Sequence, residues 1–265
     1  MSNQIAVFSD LDGCLLDKQT YSFAPAVGTL KRLREAKIPV ILASSKTEPE
    51  MLQLAEQMAL ADAPLICENG GTIRWTRRTE LSTEESSASE LRTILGHPRE
   101  QILSTLASLK DRFDFRSFVD LGVSGVAKAT SLPDDKAALA CTRASTEPLL
   151  WEDDDSKLPE FQSAIEAAEL TLTRGGRFWH VSGRTTKGLA MQAVVAKCYA
   201  GFRTIAIGDS PIDQSLLDVA DYPIGIPAPD GTRLVKVSAT GRFAESPGPD
   251  GWDAEVSRAV DSLSG

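Results

Sequence analysis

Positive charge is scarce in this sequence, and so are cysteine and histidine. Lys and Arg total 28 against 37 Asp and Glu, a formal charge of −9. The chain therefore lacks the clustered basic surface that binds nucleic acid. No apolar run approaches the roughly 18 residues that span a bilayer, and the opening MSNQIAVFSD lacks the basic start and apolar stretch of a secretory signal. These absences predict a cytoplasmic protein with no nucleic-acid or membrane partner. Cys14, Cys67, Cys141 and Cys198 show no CxxC spacing and no nearby histidine pairing, which argues against a zinc site. Their even number permits two disulfides, but without an export signal they read as reduced thiols that fill apolar space. Internal repeats and extended low-complexity tracts are missing too. What is present is ordinary globular material, 42% hydrophobic and 25% charged over 265 residues, enough for one large domain or two modest ones.

Residues 5–8, 38–43 and 64–67 are short apolar runs that predict buried strands, with helical periodicity over 25–36 and 49–59 between them. Pro25 and Pro49 open the two helices. This alternation predicts a parallel sheet with crossover helices. The rhythm then changes. STEESSAS at 82–89 predicts a linker. A helix over 98–110 follows, then strands at 115–119, 148–151, 169–173 and 177–181, with helices near 133–141 and 157–168. The Arg174-Gly175-Gly176 turn predicts a hairpin. The α/β rhythm returns with a helix at 187–199, a strand at 203–207, a helix near 211–219, strands near 222–226 and 234–237, and a last helix over 252–263. The chain thus predicts an α/β core of residues 1–86 and 182–265 interrupted by an α+β insert of residues 87–181.

Four clusters sit where a strand gives way to a loop or helix, the edge at which open parallel sheets bind ligands. Asp10-Leu11-Asp12-Gly13 sets two carboxylates where one can act as nucleophile and the other move a proton, or both can attract a divalent cation; a solvated turn explains them equally well. Ser44-Ser45-Lys46-Thr47 suits a phosphate at a helix start, or simply caps that helix. Lys187 at the start of a helix opposes the dipole and so suits an anionic partner, or is a solvated lysine. Gly208-Asp209-Ser210-Pro211-Ile212-Asp213 could complete a hard-cation site, or form a capped turn.

Taken in order and context, these clusters resemble the haloacid dehalogenase superfamily of phosphatases. The runs FSDLDGCLLD, VILASSKT, ICENGG, GGRFWHV and GDSPID further resemble the mannosyl-3-phosphoglycerate phosphatase family, over nearly the whole chain. The resemblance implies a Rossmann-like parallel-sheet core of the haloacid dehalogenase type with an inserted α+β cap that selects the substrate. It implies that Asp10 is the nucleophile, Asp12 the general acid/base, and Ser44 and Lys187 the groups that hold the phosphate. Mg²⁺ would be held by Asp10, Asp12, Asp209 and Asp213. Substrate binding falls to Ser45, Lys46 and Asn69 in the core, and to Arg143, Glu147, Arg174, Gly176, Arg177 and His180 in the cap. The implied partner is a small phosphorylated sugar-glycerate, cleaved to mannosylglycerate and phosphate through an aspartyl-phosphate. A glucosyl-3-phosphoglycerate or another sugar phosphate is the alternative.

The sequence departs from the superfamily at three points. Cys14 stands where threonine is common, Ser210 and Ile212 replace glycine and asparagine, and Thr186 replaces an aspartate. No carboxylate of the four clusters is lost. Two rivals fit less well. A phosphosugar mutase carries its cap soon after the first motif, where this chain has only a short stretch. A phospho-acceptor signalling domain is about half this length and has no insert.

Overall fold

The computed structural model describes residues 4–76, 91–175 and 177–264. The expected linker at 82–89 and Gly176 lie outside them. Among the described residues, one sheet has eight strands. β1 is Ile5–Ser9, β2 Val40–Ala43, β3 Leu65–Cys67, β4 Thr72–Arg74, β5 Arg92–Ile94, with β10 Arg203–Gly208, β11 Tyr222–Gly225 and β12 Arg242–Phe243 returning later in the chain. Their order is β12-β11-β10-β1-β2-β3-β4-β5. The first six of that order are parallel, and β4 and β5 fold back antiparallel. Helices α1 (Val27–Glu35), α2 (Glu48–Gln57), α7 (Lys187–Cys198), α8 (Gln214–Asp218) and α9 (Gly248–Ser264) cover it.

Alternation along each strand divides the core in two. Val7, Val40 and Leu65 face α1, α2 and α9 through Leu33, Met51 and Trp252. Phe8, Ile41 and Ile66 face α7 and α8 through Met191, Val194 and Leu216. Both faces are therefore apolar, which is why the central strands read as continuous apolar runs.

The second sheet has four antiparallel strands: β6 (Phe115–Ser117), β7 (Thr146–Trp151), β8 (Leu170–Arg174) and β9 (Trp179–Gly183), in the order β6-β7-β9-β8. Leu149, Leu172 and Val181 on one face pack against α3 (Arg99–Leu109) and α6 (Leu158–Ala167). Two more helices, α4 (Phe118–Thr130) and α5 (Asp134–Cys141), pack on each other. This unit runs from α3 to β9. Arg92–Ile94 pairs with β4 in the large sheet, so the early part of the stretch expected in the insert belongs to the core sheet, where β5 closes an antiparallel edge. The two connections cross at glycines. A Cβ on Gly183 would lie 2.6 Å from the His97 nitrogen and 2.8 Å from the Gly96 Cα.

Three local expectations change. The strand expected at 115–119 stops at Ser117, because Asp120 accepts from the Ser117 nitrogen (2.7 Å) and hydroxyl (2.8 Å) and starts α4. That helix carries Gly122 at φ 61°, and its valines and glycines concealed it. No strand forms at 234–237: the Gln214 side chain brackets the Lys236 main chain at 2.7 and 3.1 Å, and Arg242–Phe243 takes the sheet edge. The final helix begins at Gly248 rather than 252.

Candidate active site

β1, β2, β3 and β10 end side by side, so four loops distant in sequence meet at one sheet edge. Asp10 follows β1 directly. Trp252 on α9 donates its indole N–H to the Ser9 hydroxyl (2.9 Å), which donates in turn to the Asp10 carbonyl (2.6 Å). After β10, Asp213 accepts from the Ser210 nitrogen (3.1 Å) and hydroxyl (2.7 Å) and from the Asp209 nitrogen (3.3 Å). Opposite, Thr186 caps α7 by accepting from Leu189 (3.1 Å). Gly70 lets the β3 turn touch this helix start: its φ is 93°, and a Cβ there would lie 2.2 Å from the Thr186 carbonyl oxygen.

Lys187 is 3% exposed and joins these loops. Its ammonium donates to Asp10 Oδ1 at 2.5 Å and Asp213 Oδ1 at 2.6 Å. Asp10, Asp209 and Asp213 are all buried, so three carboxylates and one ammonium share the buried centre. Burial, then Asp213, pushes the Asp10 carboxyl up to about 8 against the pull of Lys187. Burial also raises Asp209, although Lys18 opposes it. Asp213 moves the other way: burial would raise it, but Lys187 and the Ser210 donors hold it below the usual carboxylate range.

The donor set fits a hard divalent cation. An oxygen each of Asp10 and Asp209 and the Cys14 sulfur lie within 4.8 Å of one another, and the buried centre has an excess of negative charge. Burial and the neighbouring Asp10 raise the Cys14 thiol well above its usual range, which leaves a neutral sulfur and makes the carboxylates the better ligands. Lys18, half in solvent, already places an ammonium on Asp209 Oδ2 at 2.6 Å, a cation standing where positive charge is needed. Asp213 was also expected among the ligands; here its Oδ1 accepts from Lys187 and its Oδ2 from the Ser210 and Asp209 donors, while the oxygens that gather with the Cys14 sulfur are those of Asp10 and Asp209.

A cavity of about 410 Å³ opens over this centre, lined by Asp10, Asp12, Ser45, Arg174 and His180 among others. Lys46 donates to Asp12 Oδ2 at 2.5 Å; burial would lower the amine, but Asp12 raises it. Asp12 Oδ1, Asn69 Oδ1 and His180 Nδ1 are buried without a hydrogen-bond partner. Burial, reinforced by Arg143, pushes His180 down to about 3, so its ring is neutral at physiological pH. Arg174 lines the cavity while stacking on Trp179, 5.0 Å from its centroid.

Several expected substrate residues are drawn elsewhere. The Arg143 guanidinium bonds the Ser45 carbonyl (2.8 Å), Thr146 hydroxyl (2.7 Å) and Ala140 carbonyl (3.3 Å). Glu147 is fully buried, accepting from Arg99 (2.7 Å) and the Val119 nitrogen (2.9 Å). Arg177 is exposed and donates to the Ala129 carbonyl. None of the three lines the cavity. Ser44 is buried and accepts from the Lys46 nitrogen at 3.4 Å, while Ser45 lines the cavity.

Two residues that sequence reasoning missed matter here. Lys18 belongs to the loop after the first motif, and its signal is a lone cation beside an acidic cluster. Glu68, at φ 51° and 1% exposed, accepts from the Ala144 nitrogen (2.7 Å), Ser145 nitrogen (3.1 Å) and Thr146 hydroxyl (2.6 Å), tying the large sheet to the start of β7.

A Rossmann-like sheet carrying a buried carboxylate centre under an inserted antiparallel unit defines a capped α/β protein. The chain belongs to the haloacid dehalogenase-like hydrolase family, which matches residues 7–240. Solved structures share the fold over nearly the whole chain. A Thermoplasma acidophilum protein is 14% identical, with 97% of each chain covered and a TM-score of 0.68. A sugar phosphatase of haloacid dehalogenase subclass IIB is 14% identical, covering 97% of this chain and 98% of its own, with a TM-score of 0.64. The sucrose-phosphatase of Synechocystis sp., in complex with sucrose and phosphate, is 15% identical, with 98% of each chain covered and a TM-score of 0.61. Among the described residues, no helix is long and apolar enough to cross a membrane.

Proposed function

We propose that this protein is a Mg²⁺-dependent phosphomonoesterase acting on a sugar phosphate or sugar-glycerate phosphate, with the unit built on the large sheet supplying the chemistry and the unit from α3 to β9 closing over the substrate. The observation that carries this reading is the Asp10–Lys187–Asp213 cluster at the end of β1, with Asp12 and Asp209 beside it and a polar cavity above. Asp10 and Asp209 would hold the ion with the Asp12 carbonyl, and its charge offsets repulsion between Asp10 and an anionic phosphate.

The residues divide the work. Lys187 fixes Asp10 Oδ1, so Oδ2 is the oxygen that attacks phosphorus in line. The new Asp10–phosphorus bond forms as the bond to the leaving alcohol breaks. Asp12, with Oδ2 held by Lys46, uses its unpaired Oδ1 to hand a proton to that alcohol. It then removes a proton from the water that attacks the aspartyl-phosphate, releasing phosphate and restoring Asp10. Ser44 and the loop beside it, with Lys187, would steady the equatorial oxygens.

For the substrate, the sequence runs favour mannosyl-3-phosphoglycerate, and Arg174 is a cation in the cavity for its carboxylate. The positions of Arg143 and Arg177 favour a second reading, a sugar phosphate without that carboxylate. A hydrolysis panel of mannosyl-3-phosphoglycerate, glucosyl-3-phosphoglycerate, sucrose phosphate and simple hexose phosphates separates them. The first reading expects the highest kcat/KM on the phosphoglycerates. A wide margin for a simple hexose phosphate overturns it.

A further inference from the structure

The loop after β2 is held from both units. Within the large one, the Asn69 nitrogen donates to the Ser44 carbonyl (2.9 Å) and the Glu68 nitrogen to the Lys46 carbonyl (2.9 Å). The carbonyl between them takes its donor from the small unit: Arg143 Nη2 lies 2.8 Å from the Ser45 oxygen. One residue beyond Lys46, the Thr47 hydroxyl donates to the Leu139 carbonyl of α5 at 2.9 Å, a hydrogen it shares with the Glu50 carboxylate at 2.9 Å. Two contacts from the end of α5 therefore bracket Lys46, one on each side. Arg143 is itself anchored. Its side chain is 4% exposed, and its Nε donates to the Thr146 hydroxyl at 2.7 Å. A planar guanidinium fixed along one edge presents its other edge in a set direction.

Lys46 needs such fixing. Its ammonium sits on a flexible four-carbon stem, which loses much rotamer freedom when it is held, and it meets Asp12 Oδ2 at 2.5 Å. The Asp12 side chain is 34% exposed, so water competes for its oxygens. The lysine decides which oxygen is left over: with Oδ2 held, Oδ1 is the buried oxygen without a partner. A turn of the Lys46 main chain would release Oδ2 and let the carboxylate rotate.

We infer that Arg143 and the Thr47–Leu139 contact are positioning elements for the general acid/base. The small unit sets the Lys46 main chain, Lys46 sets the Asp12 carboxylate, and Asp12 hands its proton to the leaving alcohol. The kinetic test rests on the phosphatase reading, whereas the spectroscopic test rests on the ion pair alone. p-Nitrophenolate leaves without a proton at neutral pH, but an alkoxide needs one. Arg143→Met and Thr47→Val should therefore lower kcat/KM about tenfold more on the best alkyl phosphate of the hydrolysis panel than on p-nitrophenyl phosphate, part of the roughly 100-fold or more that a general acid supplies. Thr47→Ser should restore the ratio. In a Lys46→Met background neither substitution should change it further, because both act through that lysine. Circular dichroism checks each fold, and if Arg143→Met unfolds, Thr47→Val decides. Lysine-selective ¹⁵N NMR reads the Lys46 ammonium directly, assigned by its absence from Lys46→Met. Its signal should be protected from solvent exchange in the wild type and lost to exchange in both variants. An equal fall on the two esters, which a purely structural arginine would give, overturns the inference. So does a Lys46 signal that survives in both variants. Loss of that signal in a protein that hydrolyses no phosphoester would refute the phosphatase reading while the clamp on Lys46 stands.

Discussion

Replacing Glu68 by alanine removes the acceptor that ties the two sheets together. The carboxylate takes two main-chain N–H groups and one hydroxyl at 2.6–3.1 Å, and the Arg143 guanidinium, 4% exposed, lies 3.7 Å away. Alanine at 68 would leave these donors buried and the arginine without its carboxylate. Each unmade buried bond costs about 1–3 kcal/mol, and an uncompensated buried charge about 3–5 kcal/mol, with strong overlap between them. We expect a loss of about 3–5 kcal/mol, a fall in Tm on the order of 10 °C for a chain of this length. Glu68→Gln preserves the shape and the backbone conformation but turns an amide N–H toward a main-chain N–H, so its loss should be about 1–3 kcal/mol. Urea denaturation measures both. Following Trp151 and Trp179 in the small unit separately from Trp252 in the large one, with tryptophan-to-phenylalanine backgrounds, should show their transitions moving apart in Glu68→Ala. A loss below about 1 kcal/mol in Glu68→Ala would refute the assignment of Glu68 as the tie.

Three further outcomes follow from the site. Asp10→Asn should retain the circular dichroism spectrum and lose phosphatase turnover by about 1,000-fold or more; a near wild-type rate would remove Asp10 as nucleophile. Lys18→Met should bind Mn²⁺ about threefold to tenfold more tightly by calorimetry, because the half-exposed Lys18–Asp209 pair competes with the metal and is worth only about 1 kcal/mol; weaker binding would contradict that competition. Metal-free protein should lose stability as pH rises from 6.5 to 8. Folded Asp10, pushed up to about 8, keeps a proton that the unfolded chain has released, so the folded state binds more protons and stability falls with pH. His180, pushed down to about 3, acts in the opposite sense below its ordinary value of 6.5, which is why the window starts there. Added Mg²⁺ or Asp10→Asn should flatten the slope, and a metal-free wild type with no slope would count against the raised carboxyl.

The strand ends could be read from residue order because they are local. Apolar runs stop where Asp10, Ser44, Glu68 and Asp209 begin, and burial on both sheet faces makes those runs continuous. The helix after Ser117 was hidden because its valines and glycines carry weak helical propensity, and the Asp120 cap and packing against α5 outweigh it. Arg143, Glu147 and Arg177 show the same limit at the site. The family resemblance implied substrate contact for them, yet each has a near buried or main-chain partner that spacing along the chain does not reveal.

Residue order was enough for the α/β rhythm, the inserted α+β unit and the identities of the acids and lysine at the sheet edge. Tertiary structure alone decided which side chains were already engaged. It joined Lys187 to Asp10 and Asp213 across 177 and 26 positions, and placed Lys18 on Asp209 and Lys46 on Asp12. The physical reason is that a buried charge or hydroxyl takes whatever partner the fold brings within about 3 Å, and that distance is a property of the folded chain.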